Sequence, residues 1–358
     1  MITSKLTPDD GAAIFLAQFA GDTAPFDTLE GICKWAAKLG FKGIQLPGWD
    51  ERLIDIKQAA ASKAYAEEIV GIVAKHGLAI TEIANHVQGQ LVAVHSAHAE
   101  LFDAFAPEEL HKKPVEQSKW AVQQIKSTIT ASSNMGLTVV PTFPGTLVWP
   151  YVYPWPQRPE GLVEEGFKEL ARRWKPILDH GSDLGISIAL EVHPMEDVHD
   201  GATFEMFLEA LDEHEMLGVI YDPSHFVLQY LDYLAFIDLY HDRILACHMK
   251  DAELNYNGRT GVYGGYQSWQ NRAGRFRSLG DGQVDFKAIV SKFAQYDLNP
   301  WKVVEWECCL KDAEQGAKEA VPFIESLFIQ NPAKAFDDFA GGEVNVAQIN
   351  SILGITAT

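Results

Sequence analysis

A chain of 358 residues, 47% of them hydrophobic, is long enough for one large domain or two and has ample apolar material for a core. Its formal net charge of −20, from 29 basic and 49 acidic residues, argues against nucleic-acid and anionic-membrane partners, which require a basic footprint. No apolar signal segment opens the sequence, no run reaches membrane-spanning length, and Cys33, Cys247, Cys308 and Cys309 follow neither disulfide-framework nor zinc-knuckle spacing, so a reducing, cytoplasmic setting is expected.

In chain order, residues 14–20 read as a short buried strand. Apolar residues at helical spacing over 26–39, closed by Gly40, predict the first helix. A second strand over 41–46 stops at Pro47-Gly48, a helix covers 59–76, and a third strand spans 78–84. A helix over 115–135 stops at Gly136 and leads into a strand at 137–143; a helix over 160–184 leads into a strand at 186–191. The next pairs are a helix at 201–214 with a strand at 217–221, then a helix within 230–241 with a strand at 244–248. Helix 284–296, strand 301–306 and a last helix from 312 to about 329 complete the pattern.

Strands alternating with helices argue a parallel sheet, and eight such units argue closure into a single-domain (β/α)8 barrel over residues 1–330. An open doubly wound sheet is the competitor, but no GxGxxG follows the first strand and no P-loop is present. The tail, 331–358, contains Gly341-Gly342 and is expected to pack across the barrel or a neighbouring subunit.

Extra length falls in three strand-to-helix loops, the catalytic side of a barrel. Residues 87–113 carry His95, His98 and His111; 147–159 read LVWPYVYPWPQRP; and 252–282 are rich in Gly, Tyr, Trp and Arg. Two aromatic loops on one face suggest a substrate lid, with Trp155 among its candidate contacts.

The chemistry gathers at successive strand ends. The run Val219-Ile220-Tyr221 ends at Asp222, with His225 three residues on; neighbouring runs end at Glu191, His248 and Glu305. In a barrel these four converge on one mouth and make a mixed oxygen/nitrogen site for one divalent ion, Mn²⁺ first, with Co²⁺, Mg²⁺ or Zn²⁺ as alternatives. Glu307, two residues past Glu305, points the same way and could replace it. Lys250 is a candidate oxyanion stabiliser or acid/base, and His193 and His86 are candidate substrate contacts near the mouth.

This pattern resembles the sugar isomerase/epimerase superfamily of xylose-isomerase-like barrels, which includes ketose 3-epimerases, inosose dehydratases and endonuclease IV. The resemblance covers roughly residues 12–330 and rests on Glu191, DPSH at 222–225, His248 in HMKD, LGDGQVDF at 279–286 and Glu305. It implies that Glu191, Asp222, His248 and Glu305 ligate the metal, and that His225 and an Arg of the loop after the seventh strand hold substrate. The epimerases place that Arg a few residues after the ligating His. A longer insertion stands here, leaving Arg259, Arg275 and Arg277 as candidates, with Arg277 preferred because it directly precedes LGDG.

Such a site supports proton transfer beside a carbonyl through a metal-stabilised enediolate, with Glu191 and Glu305 as the pair that removes and returns the proton. The expected activity is isomerisation or epimerisation of a free sugar, cyclitol or keto-sugar, unphosphorylated because no glycine phosphate cradle is evident. The alternative is a lyase or hydratase of the same superfamily, eliminating the β-substituent of an inosose or 3-keto-glycoside; long aromatic loops favour its bulkier substrate. An endonuclease IV-like activity would need a D-x-H element after His248, and no histidine follows. A pure binding module would leave the four converging side chains unexplained. The family habit makes a homo-oligomer the expectation.

Overall fold

The computed structural model describes residues 6–329 and 345–355. The chain divides into two compact units, Met1–Phe328 and Ile329–Thr358. Among the described residues the first carries ten strands: β1 (Ala13–Phe15), β2 (Gly43–Pro47), β3 (Ala79–Ala84), β4 (Val139–Thr142), β5 (Ser187–Glu191), β6 (Leu217–Tyr221), β7 (Ile244–Met249), β8 (Asp251–Leu254), β9 (Gly274–Arg277) and β10 (Lys302–Val304). Eight of them form one parallel sheet in the order β3-β2-β1-β10-β7-β6-β5-β4, and β8 and β9 pair separately as an antiparallel ribbon.

The helices are α1 (Leu29–Leu39), α2 (Ile56–Ala61), α3 (Lys63–Lys75), α4 (His86–Gly89), α5 (Ala99–Phe102), α6 (Pro114–Met135), α7 (Leu162–Leu184), α8 (Gly201–Ala210), α9 (Pro223–Gln229), α10 (Tyr233–Tyr240), α11 (Phe286–Gln295) and α12 (Ala313–Glu325). The second unit contributes α13 (Val346–Leu353), capped by Asn345; Gly341-Gly342 lie outside the described residues. Among the described residues no helix is long and apolar enough to cross a membrane.

The sheet is the nearly closed barrel of a (β/α)8 fold. Its strands read as apolar runs because both faces are covered, and β1, β2 and β6 are buried along their whole length. No ladder joins β3 to β4 among the described residues; Asn85 and β4 close that seam instead. Asn85 N donates to Pro141 O at 2.8 Å, Thr142 Oγ1 donates to Asn85 O at 2.9 Å, and Asn85 Nδ2 reaches Thr128 Oγ1 at 2.7 Å.

Four elements differ from the sequence expectation. The helix expected over 59–76 is two, because Ser62 adopts an extended conformation and caps α3 by accepting from Tyr65 N. The first strand ends at Phe15 because Phe19 N and Ala20 N both turn back to Leu16 O. The stretch after Asp222, to which the sequence pattern assigns no element, is helix α9. The segment expected as one loop over 252–282 holds most of the β8/β9 ribbon.

That ribbon explains the LGDG string. Asp251 is buried and accepts four backbone bonds: Ala252 N and Val284 N to Oδ1, Gly280 N and Gly282 N to Oδ2. Gly280 has φ +89°, and a Cβ on Gly282 would lie 2.1 Å from Asp251 Oδ1, so side chains are excluded where the loop wraps the carboxylate. Asp197 does the same for the loop after β4, accepting from Leu147 N at 2.6 Å, Val148 N at 2.8 Å and Trp149 N at 2.9 Å.

Candidate metal centre

Each converging residue has a local reason for its position. Glu191 is the last residue of β5, in register with Ile220 of β6. Asp222 follows β6 and caps α9: its Oδ1 accepts from Ser224 N at 2.9 Å, and Pro223 takes the first helical position, where an N–H would have no intrahelical partner. Its Oδ2 is left for the interior, and His225 falls in the first turn of α9. His248 lies in β7 opposite Val303, and Glu305 follows β10 directly.

Glu191, Asp222, His248 and Glu305 each offer a ligand atom, and these atoms lie within 4.8 Å of one another. The first three residues are buried and the Glu305 side chain is 8% exposed. His248 Nδ1 faces the cluster, 3.0 Å from Glu305 Oε2 and 3.8 Å from Glu191 Oε1. His225 Nε2 is 3.0 Å from Glu191 Oε1, and His86 Nε2 is 3.1 Å from Glu191 Oε2.

Lys250 lies inside the cluster. Its Nζ is 2.7 Å from Glu305 Oε2 and 3.0 Å from each of Glu307 Oε2, Asp222 Oδ2 and His225 Nε2. Glu307 pairs with Lys250 at the edge, while Glu305 belongs to the converging four. His193 packs its ring 4.1 Å from that of His225, centroid to centroid. Burial pushes its imidazole down to about 4, so the ring is neutral.

The charges suit a divalent cation. Burial works against ionisation of Glu191 and Glu305, yet hydrogen bonds from His225, His248 and His86 hold Glu191, and Lys250 and His248 hold Glu305, well below the ordinary range. Burial likewise opposes charge on Lys250 and His248, yet the surrounding carboxylates raise both above their usual values. Two cations thus balance two carboxylates. The remaining two are pushed up chiefly by burial, Asp222 to about 7 and Glu307 in the same direction. Three carboxylates and an imidazole nitrogen that converge in a buried site with excess acidic groups fit a divalent ion bound by oxygen and nitrogen, which would take the place of the proton on His248.

Aromatic rings wall this cluster. Phe15 stacks on His248 with centroids 5.8 Å apart, Phe143 meets His86 at 4.7 Å and Trp49 meets His86 at 6.3 Å. From the ribbon, Phe276 reaches His225 at 5.3 Å and lies 4.8 Å under Lys250 Nζ. Sequence reasoning missed these rings. Phe276 alternates with Arg275 and Arg277, a strand signature hidden in what read as a loop.

The structure puts the other candidates elsewhere. Arg277 and Arg275 share the ribbon face opposite Phe276, where both pair with Glu253 at 2.7 and 2.5 Å. Arg259 is exposed, and Trp155 is 76% exposed. His95 bonds to Tyr151 at 3.1 Å, joining two of the long loops at an exposed position.

A family model described as Xylose isomerase-like TIM barrel matches residues 33–327. Among curated proteins, an inosose dehydratase of Lacticaseibacillus casei is 26% identical over 171 residues, covering 46% of this chain and 53% of that protein. Among solved structures, a xylose isomerase-like TIM barrel protein from Mycobacterium smegmatis in complex with magnesium superposes with TM-score 0.59 and 18% identity, covering 91% of this chain and 98% of that one. A 3-keto-D-glucoside 4-epimerase from E. coli superposes with TM-score 0.58 and 15% identity, covering 88% of this chain and 98% of that one. These two likenesses concern the fold.

Proposed function

The chain belongs to the xylose isomerase-like TIM barrel family, and from that premise we propose that it is a divalent-metal-dependent isomerase or epimerase of a keto-sugar or cyclitol, acting by proton transfer beside a carbonyl. The observation that carries the reading is the convergence of Glu191, Asp222, His248 and Glu305 within 4.8 Å at one barrel mouth. These four would hold the ion, Mn²⁺ first among the candidates. Bound there, the ion supplies Lewis-acid polarisation of a carbonyl oxygen and the hydroxyl beside it.

The chain's own residues do the rest. Glu305 takes the proton from the carbon next to the carbonyl; the C–H pair becomes a carbon–carbon π bond, and the carbonyl π pair moves onto oxygen. Glu191 returns a proton on the other face, the electrons flow back, and the stereocentre is inverted. His225 and Lys250 offer donors to the substrate oxygens, and Phe15, Phe143 and Phe276 keep water from the reacting carbon.

A second reading, β-elimination, is favoured by one observation: Lys250 Nζ lies 3.0 Å from His225 Nε2 in a buried pair. That ammonium can protonate a departing oxygen as the electron pair expels it from the β-carbon, releasing water or an alcohol. Inosose dehydratase relatives agree with this outcome.

Proton NMR of the Mn²⁺-loaded protein in D₂O, offered a ketohexose, an inosose and a 3-keto-glucoside with Glu305→Gln as control, tests both. Deuterium incorporation with an isomeric product supports the first reading, and release of water or an aglycone supports the second. No exchange in any substrate defeats the shared proton-abstraction chemistry.

A further inference from the structure

A cavity shares one wall residue, Trp49, with the surroundings of the cluster. It encloses about 360 Å³ between the turn after β2, helix α4, the segment after α5 and helix α6. Trp49 is common to both places: its ring meets the rings of His86 and Phe15, and it also lines this cavity. Trp120 and Phe105 supply further aromatic surface. Gln88 lines it too, is 7% exposed, and its Oε1 has no hydrogen-bond partner.

We infer that this cavity is a subsite for an aromatic aglycone, so that the substrate is a keto-sugar carrying an aryl group rather than a free sugar. The inference rests on the proposed chemistry at the cluster and adds the identity of what the sugar bears. The volume lies near the lower end for small-molecule sites, enough for a ring system. Two indoles and a phenyl ring offer faces on which a planar group stacks. A buried carbonyl oxygen left without a donor costs free energy, and a phenolic hydroxyl would satisfy it. Glu51 and Asp55 outnumber Lys57 at the lining, which disfavours an anionic aglycone. The aromatic residues of the outer loop do not compete for this role, since Trp155 and Tyr153 face solvent.

The test compares methyl, phenyl and 4-hydroxyphenyl 3-keto-β-glucosides by calorimetry on the Mn²⁺-loaded full chain, wild type against Trp120→Ala, Trp120→Phe and Gln88→Leu. The aryl compound is expected to bind at least tenfold more tightly than the methyl one. Trp120→Ala should reduce that ratio towards one, Trp120→Phe should retain part of it, and Gln88→Leu should remove the advantage of the hydroxyl over an unsubstituted phenyl. Equal binding of aryl and methyl compounds by the wild type overturns the inference, as does an equal loss for both in Trp120→Ala. Turnover of the same compounds, followed by NMR, reports separately on the chemistry: aryl-selective binding without proton exchange keeps the subsite and rejects the reaction.

Discussion

His248 is held from both sides of its ring: Nε2 lies 3.1 Å from Gln45 Oε1, while Nδ1 faces Glu305 Oε2 at 3.0 Å. The Gln45 amide is itself fixed by Glu82, whose Oε2 accepts from Gln45 Nε2 at 3.2 Å. With Nε2 donating to Gln45, the Nδ1 lone pair of the neutral ring is directed at the cluster, as a metal-binding imidazole requires. Replacing Gln45 with Leu should therefore weaken metal affinity by about 10- to 100-fold. Titration of Mn²⁺ into the metal-stripped protein reads this directly. An unchanged affinity in a folded Gln45→Leu variant would remove Gln45 from that role.

Metal loading should raise thermal stability. A ligand at 100 times its Kd stabilises the folded state by about 2.7 kcal/mol, so Mn²⁺ added to EDTA-treated protein should raise Tm. Glu305→Gln, which removes one charged donor, should shrink that shift. The same variant should lower the rate of solvent-proton exchange into substrate by about 10²- to 10⁴-fold, the range ascribed to a positioned general base. A Tm rise of equal size in wild type and variant would count against Glu305 as a ligand.

The LGDG loop should fail as a unit without its anchor. Asp251→Ala leaves four backbone N–H groups without the carboxylate they share. A loss of about 3–5 kcal/mol is expected, against a smaller loss for Asp251→Asn, which keeps one acceptor oxygen. Urea unfolding monitored by tryptophan fluorescence gives both values, and a loss under about 1 kcal/mol for Asp251→Ala would contradict the expectation.

Glu196 should make stability fall with rising pH. It is buried, accepts from Gly145 N at 2.7 Å, and burial pushes its carboxyl up to about 8 from 4.5. Between those two values the folded chain holds a proton that the unfolded chain has released. Each pH unit in that window should therefore cost about 1.4 kcal/mol of stability, and the effect should stop changing above about pH 8. Glu196→Gln keeps an acceptor for Gly145 N and removes the titration. Its Tm advantage over wild type should be larger at pH 8 than at pH 5; a constant difference across that range would refute the assignment.

The barrel was legible because its strands are apolar runs between helices that stop at glycine, as at Gly136 and Gly185, a local signal that survives without tertiary information. The four converging residues were legible for the same reason: a polar group directly after a buried run can only stand at a strand end. What escaped depended on contacts distant in sequence. Lys250 was readable as a candidate acid/base, but its pairing with Asp222 and Glu305 was not. Arg277 was singled out by its neighbour in sequence, whereas strand alternation turns it to Glu253 and presents Phe276 to the cluster. Trp155 was chosen for its residue type, and its loop is tied down by Asp197 without bringing that ring inward. Phe15, Trp49 and Phe143 come from three separate strand ends and become neighbours only when the barrel closes.

The two oxygens of Asp222 serve different masters: Oδ1 starts helix α9, and Oδ2 looks into the cluster. Selection on either duty alone would retain the residue. A descendant that had lost all catalysis would still need an acceptor at that helix start, so persistence of Asp-Pro-Ser among relatives would overstate how many remain enzymes. His225 carries no such second obligation to the backbone among its described contacts. Its exchange for another residue in a lineage would be the earlier and cleaner sign that the chemistry had lapsed.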